Sequence, residues 1–396
     1  MKKGEKSGLI YYISIIGFFA IFSTTISKDP VLPLYVKALG GTNLLLGLIS
    51  VFSPLAGILL SFPVGMLSDK IGRKKILIVS GIVFLIAPLL YLLVSNPLWL
   101  IPIRFFHGMA TAILVPLASS IIVKAYPESK GSKLGIYSSS TLVGRALAPM
   151  AGGFIISYFA ASKISLANYH YVYLAAFFLA IPVFIMMLLS LREDKKTAQK
   201  IRAGDFYRDL KYLVKNKRLL STSLIETAAY FAYGAFEAYL PVYLSDFKVS
   251  AGVIGLIFSA QVLSIALSKP LFGKLADRID KRKQIIFGIF VLGISIGAVG
   301  FFSSVISIAI LGVLFGLGLS FSTIATETYV AEVAKKNKFG ASFGGLHAIS
   351  DIGQSVGPFI TGVIITYFSF RAGFAVSLIV AVVAAVIFLA YNRIRD

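Results

Sequence analysis

Gly65-Met-Leu-Ser-Asp69-Lys70, continued by Ile-Gly72-Arg73-Lys74-Lys75, returns 208 residues downstream as Gly273-Lys-Leu-Ala-Asp277-Arg278. The same offset carries Asp29 onto Glu237, Pro33 onto Pro241 and Gly108 onto Gly316. At an offset of 209, Gly144 meets Gly353 and Pro149 meets Pro358. One shift threading several short motifs in the same order points to two structural repeats. What lies between the motifs is mostly apolar. Hydrophobic residues make up 57% of the 396 and charged residues 14%, with a mean hydropathy of +0.87. A soluble domain carries about 25% charged residues. A chain this poor in charge cannot coat a water-facing surface of its own size, which excludes a soluble enzyme and a disordered or collagen-like chain.

A membrane-spanning helix needs roughly 20 mostly apolar residues. Twelve such runs are present, from Leu9–Leu39 at the start, through Leu219–Leu244 as the seventh, to Ala372–Tyr391 as the last. Strands of a membrane barrel would be about half as long and strictly alternating. The first run follows Lys2, Lys3 and Lys6, as a secretory signal would, but it continues past Asp29, Pro30 and Pro33 without a small-residue cleavage site, so it reads as an uncleaved span. The fold class is therefore an all-α membrane protein: twelve transmembrane helices in two pseudo-symmetric six-helix bundles. The expected domains are 1–192, a cytoplasmic linker 193–218, and 219–396. In the linker, Phe206, Leu210, Leu213 and Val214 recur at helical spacing among basic residues; a surface-lying amphipathic helix and a solvated tether fit equally.

Of the 38 Lys and Arg, 30 fall on one face of the alternating loops, 4 on the other and 4 within spans. Positive charge collects on the cytoplasmic side, so both termini are expected inside a cell (plasma) membrane. Orientation and anionic lipid headgroups account for the net charge of +21, and no nucleic-acid partner is needed. Cysteine is absent, so there is no disulfide framework or thiolate site. Neither a His/Cys/Asp cluster at metal spacing, nor a phosphate-binding loop, nor a catalytic triad is visible; no cofactor, no metal and no enzyme activity are expected.

The segment Gly65–Lys75 resembles the signature between spans two and three of the major facilitator superfamily at every position, while in its second copy Asp280 stands where the glycine would be. Arg104-Phe-Phe-His107-Gly108 resembles the fourth-span motif. Gly144 to Gly153, with Pro149 and Gly152 between, resembles the fifth-span motif of antiporters, with alanine in place of one glycine. Lys28-Asp29-Pro30-Val-Leu-Pro33 resembles the first-span motif of the twelve-span drug:proton antiporters, and Phe236-Glu237-Ala-Tyr-Leu-Pro241 a seventh-span pattern of that branch. The resemblance implies two bundles rocking about a central cavity, with alternating access to the two sides. It implies proton coupling at Asp29 and Arg104, and Asp29 repeats as Glu237. Taken on their own, Gly65 and Gly72 permit close helix approach and a tight inner loop, Asp69 suits a helix amino terminus and Arg73 could pair with Glu128; these residues, with Asp277 as the second copy of Asp69, are expected to form a conformational latch, and membrane orientation alone is the alternative for the basic loop.

Ionisable groups at span depth cost at least ~2.5–3.5 kcal/mol each on insertion scales, so they mark functional candidates. Asp29, Glu226, Glu237, Glu327 and Asp351 qualify. Lys28 is a competing partner for Asp29, and a structural clamp competes with coupling for Arg104. Glu226, Tyr230, Tyr233 and Glu237 stripe the seventh span over about 16 Å and suit a cationic aromatic cargo; hydration at the inner interface fits Glu226 as well. Gln261, Glu327, His347, Asp351 and Arg145 complete the expected cavity lining. Polar stripes disfavour lipid-facing sides, so they line a cavity or join helices. Gly144, Pro149, Gly153, Gly353, Gly357 and Pro358 permit close helix packing. The function expected is proton-coupled efflux of small amphipathic or cationic compounds. The alternatives are a proton symporter or a lipid or glycolipid flippase on the same fold, and a non-transporting scaffold. Small-molecule cargo, protons and membrane lipids are the expected partners, and a monomer the expected state.

Overall fold

The computed structural model describes residues 3–160, 165–189, 215–334 and 339–392; the linker stripe Phe206–Val214 lies outside them. Every described regular element is helical. In chain order they are α1 (Lys3–Ile26), α2 (Val31–Ala38), α3 (Asn43–Ile71), α4 (Arg73–Tyr91), α5 (Leu100–Ala125), α6 (Lys130–Ala160), α7 (Leu166–Leu189), α8 (Lys217–Asp246), α9 (Ala251–Ala276), α10 (Lys281–Val299), α11 (Val305–Val333), α12 (Phe339–Tyr367) and α13 (Phe370–Tyr391). A single 3₁₀ turn, Pro97–Trp99, leads into α5. The first span is split into α1 and α2 at Lys28-Asp29-Pro30, where proline removes a backbone donor and disfavours helix for the residue before it.

Eleven spans among the described residues are long and apolar enough to cross a membrane. The seventh expected span, α8, falls short on polarity rather than length. Its 30 residues reach about 45 Å, but it carries Ser221, Thr222, Ser223, Glu226, Thr227 and Glu237. Nearly all of it from Leu219 to Leu244 is buried, because α10, α11, α12 and α13 all pack against it. A helix shielded from lipid by four neighbours has no need of an apolar surface.

The helices form two bundles. One unit comprises Met1–Gly41, Phe52–Lys200 and Ser250–Ser259; the other comprises Thr42–Val51, Ile201–Val249 and Ala260–Asp396. The first turns of α3 and α9 thus each belong with the unit that does not hold the rest of their helix.

The repeat seen in the sequence is written in the packing of each unit. Gly108 on α5 backs onto the Ser53 carbonyl of α3, 2.6 Å from where a Cβ would stand, and Gly316 on α11 backs onto the Gln261 carbonyl of α9 at 2.6 Å. Gly144 on α6 backs onto the Phe18 carbonyl of α1 at 2.7 Å, and Gly353 on α12 onto the Thr227 carbonyl of α8. The helix starts differ. Gly72, which precedes α4, has φ of 98°, a conformation that favours glycine. Its equivalent Asp280 has φ of −62° and caps α10 instead, accepting from Arg282 N at 2.9 Å. The Arg282 side chain donates to it as well, which with burial opposing lowers the Asp280 carboxyl below its usual range.

Tyr35 and Tyr243 are also separated by 208. The Tyr35 hydroxyl donates to the Tyr91 carbonyl at 3.0 Å and lies 3.3 Å from that of Val94. The Tyr243 hydroxyl donates to the Phe302 carbonyl at 2.8 Å and lies 3.3 Å from that of Gly300. Each tyrosine closes the carboxy-terminal end of the third span of its half, α4 or α10, where carbonyls lack intrahelical donors. Tyr35→Phe and Tyr243→Phe are each expected to destabilise the protein by about 1 kcal/mol, read as a lowered Tm in detergent, whereas Tyr158→Phe, at an exposed position, leaves Tm unchanged.

Candidate functional site

Two buried polar clusters hold the expected residues, one in each unit. In the first, Asp29 sits in the break between α1 and α2 and is 6% exposed, with Lys28 Nζ 3.9 Å from its Oδ2. Arg104 on α5 is 2% exposed, and its Nε and Nη1 have no hydrogen-bond partner among the described residues. Its guanidinium bonds the Tyr91 hydroxyl. Tyr91 Oη lies 3.3 Å from His107 Nδ1, and His107 Nε2 lies 3.4 Å from Thr24 Oγ1. Arginine can only donate, so Tyr91 accepts from Arg104. The order Arg104, Tyr91, His107, Thr24 links α5, α4 and α1. Tyr173 stacks on Tyr91 with ring centroids 4.4 Å apart, and Tyr35 lies edge-on to Tyr173 at 5.4 Å.

In the second unit, Glu237 on α8 is 6% exposed and accepts from Gln354 Nε2 of α12 at 3.2 Å. Glu226, three turns earlier, is 4% exposed and contacts the hydroxyl of Thr326 on α11. That hydroxyl also lies 2.8 Å from the Thr323 carbonyl. Between the acids, Tyr230 meets Tyr233 at 6.1 Å, Tyr233 lies parallel to Phe315, and Phe236 stacks on Phe315 at 4.8 Å. Gln261 is buried with its Nε2 unpartnered among the described residues. Glu327 and Asp351 are half-buried and Arg145, in the first unit, is exposed.

The packing glycines stand against backbone. Gly153 backs onto the Ala251 carbonyl and Gly357 onto the Phe231 carbonyl. Pro358 offers its carbonyl to the Tyr239 hydroxyl at 2.8 Å, which also lies 2.9 Å from the Asn43 carbonyl; Pro149 is buried in α6. The loop residues are less assembled. Glu128 is exposed and forms no ion pair with Arg73 among the described residues, and Asp277 is exposed beyond the end of α9. The side chains of Gly65, Asp69 and His347 lie outside the described residues.

Residues 13–250 and again 222–395 match the Major Facilitator Superfamily. The chain belongs to this superfamily. As a major facilitator protein it is a multi-pass, secondary-active transporter working by alternating access, not a catalyst. An uncharacterized MFS-type transporter of Methanocaldococcus jannaschii is 25% identical over 405 residues, covering 100% of both chains. The multi-drug resistance efflux pump PmrA of Streptococcus pneumoniae is 27% identical, covering 92% of each. The multidrug resistance protein MdtG of Salmonella typhi is 28% identical over 88% of this chain and 86% of its own. Among solved structures, a bacterial homolog of the human lysosomal transporter Spinster superposes with a TM-score of 0.81 at 17% identity, over 99% of this chain and 98% of that one. The nucleoside transporter NupG does so at 0.77 and 14%, over 98% and 100%. At such identities the structural likeness is one of fold.

Several residues of this major facilitator site were not singled out from the sequence: Tyr91, Tyr173, Thr24 and Tyr239. The offset of 208 applied to tyrosines would have exposed Tyr35 and Tyr243. Nothing in the local sequence marks Tyr91, which ends an apolar helix and is buried only by its neighbours.

Proposed function

We propose that the protein is a proton-coupled antiporter of the drug-efflux branch that exports small amphipathic or cationic compounds, oriented with both termini in the cytoplasm. The observation that carries this reading is the recurrence of a buried carboxyl at one place in both repeats, Asp29 and Glu237, each 6% exposed. A carboxyl held away from water favours its neutral form, and a neutral acid at span depth can take up and release a proton as its surroundings change. Glu226, 4% exposed and in contact with the Thr326 hydroxyl, is a third buried carboxyl. Tyr230, the partly exposed ring of the stripe, offers an aromatic face to a flat cationic cargo, backed by the buried Tyr233, Phe236 and Phe315, and Glu226 and Glu237 supply charge at either end of that stripe. The likeness to PmrA and MdtG, whose names state multidrug resistance, points the same way. The Lys and Arg distribution supports the orientation.

Cells producing the protein should accumulate several-fold less ethidium than cells producing the Asp29→Asn variant. A protonophore should abolish that difference. Equal accumulation in the two strains, with equal protein in the membrane, would refute the proposal.

A further inference from the structure

The two repeats part company at one place. In the first unit, Ile10 at the start of α1 and Ile121 near the end of α5 sit in an apolar core with Val183 and Met187 of α7. The offset of 208 carries Ile10 onto Arg218 and Ile121 onto Tyr329. Where the first unit has two buried isoleucines, the second has Arg218 and Tyr329 on the wall of a cavity of about 880 Å³, lined also by Lys281, Arg282, Tyr391 and Asn392.

The cavity lies where four helix ends meet: the amino termini of α8 and α10, and the carboxy termini of α11 and α13. Both amino termini are capped, by Asn216 and Asp280, and the partial charges of the two amino and two carboxy ends oppose one another, so the side chains set the charge of the cavity. Three cations line it against two carboxylates, Asp280 and Glu332. Asp280 is engaged by Arg282 at 2.7 Å and Glu332 by Lys281 at 2.8 Å. Arg218 makes no ion pair among the described residues, so the balance is one guanidinium in excess. Its floor is already satisfied. Tyr329 donates to Asn392 Oδ1 at 2.7 Å, and Asn392 Nδ2 donates to Ser221 Oγ at 2.7 Å. Ile279, Val333, Ala390 and Tyr391 make up the remaining wall, apolar bodies beside a cation at the level where spans leave the membrane.

We propose that this cavity binds the phosphate of an anionic phospholipid, with Arg218 as the principal phosphate ligand and the apolar wall against the acyl-glycerol portion. A planar guanidinium suits a phosphodiester, and basic pockets between helices at a membrane face suit anionic headgroups. A free phosphate has the same recognition chemistry but gains nothing from the apolar wall.

The test is thermal unfolding of the delipidated full chain in detergent with added dioleoyl phosphatidylglycerol, dioleoyl phosphatidylcholine or inorganic phosphate. Phosphatidylglycerol should raise Tm by about 3 °C or more over phosphatidylcholine. Arg218→Gln should remove most of that difference. Ala390→Trp, which fills the cavity and leaves every charge in place, should do the same. Lys74→Gln, the equivalent of Arg282 in the first unit, should keep it. Equal stabilisation by both lipids, retention of the full shift in Arg218→Gln and Ala390→Trp, or equal loss in Lys74→Gln would overturn the site. Inorganic phosphate reproducing the whole shift would overturn the lipid as its source, and a negligible phosphate effect would support it.

Discussion

Asp29→Asn and Glu237→Gln should each abolish uphill transport in proteoliposomes while leaving downhill exchange of labelled cargo intact. The amide keeps the shape of the acid and removes its titration. A proton crossing with a potential of about 100 mV supplies about 2.3 kcal/mol, enough for roughly 50-fold accumulation of a neutral cargo per proton; one-for-one exchange with a monovalent cation moves no net charge and is driven by the pH gradient alone. In either variant that ratio should fall to about one. Exchange of cargo for cargo needs no proton, so its survival separates lost coupling from lost folding. Glu237→Gln has a second consequence. Gln354 Nε2 donates to Glu237 Oε2 at 3.2 Å, and a glutamine side chain can still accept there, so the α8–α12 contact persists and Tm should hold. Normal uphill accumulation by both variants would remove the carboxyls from the mechanism.

Gly357→Leu should cripple assembly of the second unit. A Cβ at Gly357 falls on the backbone of Phe231, and Gly353 and Gly234 bring α8 and α12 equally close one turn to either side. Backbone cannot move aside as a flexible side chain does, so the helices must separate along this seam. Overpacking of this kind costs about 1–3 kcal/mol, and here it also pulls Gln354 from Glu237 and the Tyr239 hydroxyl from the Pro358 carbonyl. The expected result is little folded protein in the membrane and a Tm lowered by several degrees. Gly135→Ala is the control. It sits in the second turn of α6 with nothing within 4 Å of the added carbon, and should be neutral or stabilising by about 0.4–1 kcal/mol.

The sequence displays the fold because lipid imposes a length and a polarity on each span, and because a duplicated chain repeats its constraints. Gly108 and Gly316, or Gly144 and Gly353, are legible as pairs since each pair answers the same close approach of backbone. The polarity of α8 was legible too, but its cause, four surrounding helices, was not. Buried acids announce themselves by their cost, which is why Asp29, Glu226 and Glu237 could be picked out beforehand. Their partners could not, since Thr326, Gln354 and Tyr91 are ordinary residues made consequential only by helices distant in sequence.

The most direct test of proton exchange is the pH inside proteoliposomes when a cationic amphipath such as ethidium is added outside, read with a trapped pH-sensitive dye and no imposed gradient. Antiport predicts that the lumen turns alkaline as cargo enters and protons leave, and that Asp29→Asn and Glu237→Gln flatten the trace. Acidification of the lumen, or cargo entry with no change in pH, would contradict it.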